Sequence, residues 1–275
     1  MLGRKEMILF LVFLISIFLS NPKLQPKYLN LFCLISLPIL CLLWEQVVLY
    51  FPYFAVLIIF RNKLKDIKKV FYLNFIIFAP SIIVFLIIWF NPLSIDGKEV
   101  MCEFLENNFS EKCYMSANLL IKNTIYFSTI EVVHSNANFS HYLRYILIFL
   151  IGFMPLNLLI LKNKFLYKKN FLSKNFNLYS LFFALYFPAI LLFIFGYDWG
   201  RWINITYTFS ILLYLFLLKD SHITNNVPIN KKAIKILEKR KIFLVFAFIL
   251  FAFGWSPKTA ITGDISSFPG YRIPI

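Results

Sequence analysis

The sequence predicts an all-α protein, a polytopic transmembrane helical bundle of about seven spans. Three observations lead there. Of the 275 residues 60% are hydrophobic, the mean hydropathy is +0.74, and 34 residues are phenylalanine. A water-soluble domain of this length needs far more polar surface to cover itself. Charged residues make up only 15% of the chain and cluster between apolar runs rather than alternating within them. That is the arrangement of helices that satisfy their own backbone hydrogen bonds in lipid. Finally, 17 of the 28 Lys and Arg fall in three short segments, 61–69, 162–174 and 219–241. The net charge of +15 is therefore carried largely by inter-helix loops, with no RNA-binding motif or soluble basic domain beside it. Membrane lipid is the expected partner, and nucleic acid is not. The abundance of Phe, Ile, Lys and Asn fits an AT-rich, bacterial genome.

The elements follow in order. The run 7–20 has the charged start and apolar middle of a signal peptide, but "SNPK" is a poor cleavage site, so it reads as a retained helix. Residues 29–60 are almost uninterruptedly apolar, broken by "WEQ" at 44–46 and by Pro38 and Pro52. They form either one long tilted helix or two short ones around Glu45. Further spans are expected at 70–90, where Pro80 could introduce a kink, at 142–161, 178–195, 203–218 and 242–255. The whole chain, 1–275, is read as one integral membrane domain, with 91–140 as an outer loop subdomain.

Charge sets the orientation. Segments 61–69, 162–174 and 219–241 are basic and belong in the cytoplasm. The segment 91–140 carries three lysines, no arginine and six acids, so it belongs outside. With 29–60 as one span the count is seven, with the N-terminus inside and the C-terminus outside. If that run divides, the count becomes eight and the N-terminus moves out. Arg4 and Lys5 favour seven. The expected location is the bacterial inner membrane, multi-pass, with the C-terminus outside.

Ten residues separate Cys102 from Cys113. In an oxidising compartment that spacing predicts a disulfide pinning the outer loop, with a short helix or turn between the two. Cys33 and Cys41 sit in apolar runs and read as packing residues. No C-x-x-C pair or His cluster suggests a metal, and no cofactor fingerprint is present. The stretch 115–133 reads as an interfacial amphipathic helix or as part of a small external subdomain. His141 and Arg144, three apart on one helical face, form either a pocket for an anionic headgroup or an interface anchor. Glu45 is an acid within an apolar run and a candidate substrate contact, unless the run divides there and leaves it in a surface turn.

The sharpest local feature is "GYDWGRW", residues 196–202, a tight outer turn between two spans. Trp199 and Trp202 suit the interface, where an apolar ring with one N–H donor is at home. Asp198 and Arg201 either neutralise each other or form a site. An arginine can fork onto phosphate, a carboxylate can accept hydroxyls or act as a base, and indoles stack on sugar faces. Asp198 and Arg201 are therefore the candidate catalytic residues, with Arg144, His141, Trp199, Trp202 and Glu45 as substrate contacts.

"DWGRWI" at 198–203 resembles a signature of bacterial inner-membrane proteins of surface-polysaccharide assembly, including capsule and O-antigen. The resemblance covers Asp198, Gly200, Arg201 and Trp202 together with the Cys102–Cys113 loop. It implies a polymerase or glycosyltransferase acting at the outer face on a polyprenyl-linked sugar. It supplies no catalytic assignment, and the chain lacks the very large outer loop of typical O-antigen polymerases. Two other functions compete. A transporter or flippase would place polar residues such as Glu45, Asn74 or Asn157 along a passage. A non-catalytic membrane subunit would need none of these.

Overall fold

A computed structural model describes residues 5–91, 93–110, 139–167, 169–195 and 199–224. Nine α-helices are described: α1 Lys5–Leu19, α2 Pro26–Leu43, α3 Phe51–Arg61, α4 Ile67–Phe90, α5 Ile95–Phe109, α6 Phe139–Lys162, α7 Phe171–Asn175, α8 Leu178–Phe195 and α9 Trp199–Lys219. A 3-10 turn, Glu45–Tyr50, precedes α3. The β structure among the described residues is a lone antiparallel bridge, Phe165 to Ile223. The all-helical class is thus observed. Three helices, Pro26–Leu43, Ile67–Phe90 and Trp202–Lys219, are long and apolar enough to cross a membrane. The expected span at 242–255 and the stretch 115–133 lie outside the described residues.

The run 29–60 is two antiparallel pieces rather than one long helix. The break falls at Trp44, which is extended (φ −160°, ψ 103°), while Pro38 lies within α2. Pro52 acts further along, where α3 begins. It has no N–H to give, so a continuous α-helix would leave the Val48 carbonyl bare. The chain instead places Pro52 in the first turn of α3, where no donor is needed. The Phe51 N–H then bonds Val48 O in 3-10 fashion. The return is fixed at the far end by a reciprocal amide pair. Asn30 Nδ2 donates to Asn62 Oδ1 (3.2 Å) and Asn62 Nδ2 donates to Asn30 Oδ1 (3.0 Å).

Helix α3 is apolar all round, and a helix of that kind belongs in the middle of a bundle. Eight of its eleven residues are buried. Around it pack α1, α2, α4 and α9. Phe209 of α9 is fully buried and meets the rings of Phe10, Phe13, Tyr50, Tyr53 and Phe54, the closest stacked at 4.1 Å. Outward faces are apolar as well. Phe71, Phe75, Ile83 and Phe90 of α4, and Phe183 and Phe187 of α8, are exposed. Contiguous apolar surface on this scale calls for a hydrocarbon environment or a partner.

The bundle has two chemically different ends. Segments 21–27, 61–69, 162–174 and 219–224 meet at one of them, and Asp66 and Asp220 are the acids among them. The three basic connections are stitched together by backbone bonds. Phe171 N–H donates to Leu64 O (2.7 Å), Leu166 N–H to His222 O (2.9 Å) and Thr224 N–H to Lys164 O (2.8 Å). The opposite end holds the start of α1, the turn at 44–50, α5 and the start of α9. The described acids there are Glu6, Glu45 and the four of α5, Asp96, Glu99, Glu103 and Glu106.

His222 lies in the basic platform between Phe60 (ring centroids 4.8 Å apart) and Phe216 (5.7 Å). Burial pushes its pKa below the ordinary 6.5; Lys169 and Lys63 push the same way, against Asp220. The folded state therefore prefers the neutral ring. Its contribution is complete above pH 6.5 and is lost as pH falls through the lowered folded value. Thermal melts of the detergent-solubilised chain between pH 8 and 5 should show an acid-side loss that His222→Gln reduces. An unchanged acid slope in that variant would contradict this role.

Candidate functional site

A polar column descends from the acidic end between the 3-10 turn, α3 and α9. Trp202, Thr206 and Ser210 follow each other at i, i+4 and i+8, hence on one face of α9. Gln46, Tyr50 and Tyr53 face them. Trp202 is buried, and its Nε1–H donates to Gln46 Oε1 (3.2 Å). Deeper down, Ser210 gives its hydroxyl hydrogen to the Thr206 carbonyl (2.6 Å). The 2.8 Å contact between Tyr53 and Ser210 then has the phenol as donor. A second, longer contact from Tyr53 reaches Thr206 O at 3.4 Å.

Between these two layers the column is incomplete. The Tyr50 hydroxyl and Thr206 Oγ1 are both buried and face each other, interacting without a well-formed hydrogen bond. Buried hydroxyls ordinarily make full hydrogen bonds, so a pair this weakly satisfied keeps capacity for a water or a ligand hydroxyl. Glu6, at the start of α1, is 9% exposed and within electrostatic reach of Tyr50. An acid, an amide, an indole and two facing hydroxyls therefore meet at this end. Such a set accepts and donates hydrogen bonds to a polyol better than it holds a cation. Among the described residues no three His, Cys, Asp or Glu side chains converge as metal ligands.

Some of the residues expected from sequence fall here. Glu45 is partly exposed at the turn and adjoins Gln46, the partner of Trp202. The division of 29–60 thus puts Glu45 at an end of the bundle, which removes the argument from membrane depth. Trp202 is an internal anchor with its ring at 2% exposure, not a surface belt residue. Its apolar neighbours cover the ring, and its one donor is taken by Gln46. Gly200 is buried in the first turn of α9. Asp198 and Cys113 lie outside the described residues, as do the side chains of His141, Arg144, Trp199 and Arg201; these last four are helical in backbone. Cys102 is disulfide-bonded and lies in α5, whereas Cys33 and Cys41 are free and buried.

Glu6, Gln46, Tyr50 and Thr206 were not singled out from sequence. The signal was present as polar residues at i, i+4 spacing within two apolar runs. Their pairing across 150 residues was not. Asn74 Nδ2 donates to Val70 O within its own helix while its Oδ1 is buried without a partner, and Asn157 Oδ1 accepts from Tyr186 across α6 and α8. Neither they nor Glu45 line the cavity described at the basic end.

The architecture of the described residues defines a class first, an all-helical protein with three helices long and apolar enough to cross a membrane and a polar column at its acidic end. No protein-family model, curated protein or solved structure matches the chain.

Proposed function

We propose that the chain is a multi-pass bacterial inner-membrane protein of surface-polysaccharide assembly, binding a lipid-linked sugar at the outer face. The observation that carries this is the convergence at the acidic end. The turn at Glu45 and Gln46, the Glu6 carboxylate, and the start of α9 meet around two buried hydroxyls, Tyr50 and Thr206, that face each other without a well-formed hydrogen bond. Residues 199–203 open α9 at that same end, and the resemblance of "DWGRWI" to surface-polysaccharide proteins supplies the substrate class. Orientation follows from charge, with the basic platform cytoplasmic and the column outside. The N-terminus then lies outside, because 29–60 divides. Together the 3-10 turn and α3 rise about 28 Å, close to the hydrocarbon thickness, so they count as one crossing. A crossing over 242–255 would make eight and leave the C-terminus outside. Asp198 and Arg201 are the proposed reacting and phosphate-binding groups, with His141, Arg144 and Trp199 as contacts.

The test is the surface-glycan profile of a deletion strain complemented with wild type, Asp198→Asn or Arg201→Lys. Wild type should restore the polysaccharide and both variants should fail at equal protein level. A full profile from both variants would remove the catalytic role. An N-terminal reporter active only outside the cytoplasm should be active, and its silence would overturn the orientation.

A further inference from the structure

A cavity of about 570 Å³ opens at the basic end, between the C-terminus of α6, the short α7 and the N-terminus of α8. Its size is that of a small-ligand pocket and well beyond what a bare inorganic ion would fill. Lys164 and Lys174 line it from different elements, and both are exposed. No acid lines it, and the sequence contains no Asp or Glu between 132 and 197. Asn175 and Asn177 add amides to the wall. Asn177 also caps α8, accepting the Ser180 N–H at 2.7 Å, so the positive end of that eighteen-residue helix faces the same region. Leu161 and Tyr179 supply an apolar flank. Two cations, a helix N-terminus and an apolar side suit a phosphate attached to carbon.

The walls are also held in place. The loop carrying Lys164 is fixed by bonds in both directions with Thr224, since Thr224 N–H donates to Lys164 O and Lys164 N–H donates to Thr224 Oγ1. The turn before Lys174 is closed by a capping box, in which Ser173 N–H donates to Asn170 Oδ1 (2.8 Å) and Asn170 N–H donates to Ser173 Oγ (3.2 Å). A loop serving only to set topology by its charge needs neither.

We propose that this cavity binds a phosphate-bearing anion, and that its occupant is the headgroup of an anionic phospholipid in the adjoining leaflet. The lipid source rests on the membrane placement proposed above; the phosphate chemistry does not.

The full chain in neutral detergent should melt at higher temperature with phosphatidylglycerol than with phosphatidylcholine or inorganic phosphate. Lys164→Gln/Lys174→Gln should weaken phosphatidylglycerol binding roughly thirty-fold, each lysine near an anionic surface counting for about a factor of five. The variant should fold, because both side chains are exposed. Lys63→Gln/Lys65→Gln removes the same charge from the neighbouring loop and should keep most of the effect. Inorganic phosphate acting through Lys164 and Lys174 would support the site with a soluble occupant. Equal losses in both pairs would mean diffuse charge and overturn the proposal, as would no stabilisation by either probe.

Discussion

Phe209→Ala should be the most damaging single change in the described bundle. The ring sits at the meeting point of α1, the 3-10 turn, α3 and α9, with five aromatic neighbours whose centroids lie 4.1 to 6.0 Å away. Truncating a buried phenylalanine costs about 3–5 kcal/mol in water-soluble proteins, part of it transfer and part of it the cavity left behind. In a lipid environment the transfer part shrinks, because hydrocarbon surrounds the bundle anyway, while the lost packing remains. The expected loss is therefore about 3 kcal/mol, at the lower end of that range. Unfolding by denaturing detergent in mixed micelles measures it. Phe209→Leu should recover most of the loss. Phe183→Ala, on an exposed face, should change stability by less than about 0.5 kcal/mol. Equal effects at Phe209 and Phe183 would show that the aromatic cluster is not what holds α9 to α3.

Trp202 offers the second large effect, and its two parts separate. Trp202→Ala removes a nearly fully buried indole and should cost at most about 3 kcal/mol, the transfer part shrinking in lipid as it does at Phe209. Trp202→Phe keeps most of the volume but deletes the Nε1–H, leaving Gln46 Oε1 without that donor. Gln46 is only partly buried, so losing that bond costs about 0.5–1.5 kcal/mol. Changing Gln46 to Leu in the same chain removes the stranded acceptor, so the double variant should be more stable than the two single losses would sum to. A coupling of about 0.5–3 kcal/mol is expected from such a cycle. Additive losses would mean that the 3.2 Å contact contributes nothing. Trp202 acts here as a positioning residue. If the proposed site is correct, Trp202→Phe should also lower surface-polysaccharide output more than its stability loss explains, because this indole anchors the first turn of α9.

Much of the fold was legible in the sequence, and the reason is physical. Composition and the clustering of charge are averages over many residues, and in lipid only a few architectures satisfy every backbone group. The helical class, the apolar runs and the grouping of the basic segments follow from that. Where the sequence left two readings open, it did so at the run 29–60, which could be one long helix or two; the extended Trp44 divides it. Hydropathy counts apolar length and is blind to a turn built from apolar residues.

The candidate site divides in the same way. The oddity of "DWGRW" was visible because charge among phenylalanines is visible. Its neighbours were not, since Glu6, Gln46 and Tyr50 are brought to α9 from more than 150 residues away. Sequence by itself determined what kind of molecule this is and which loops share a sign of charge, because those are properties of stretches. Tertiary structure alone decided that 29–60 is a hairpin, that Trp202 is an internal anchor, and that the basic loops are sewn into one platform with a cavity. Each of those depends on a long-range contact, and such contacts carry no local periodicity from which they could be read.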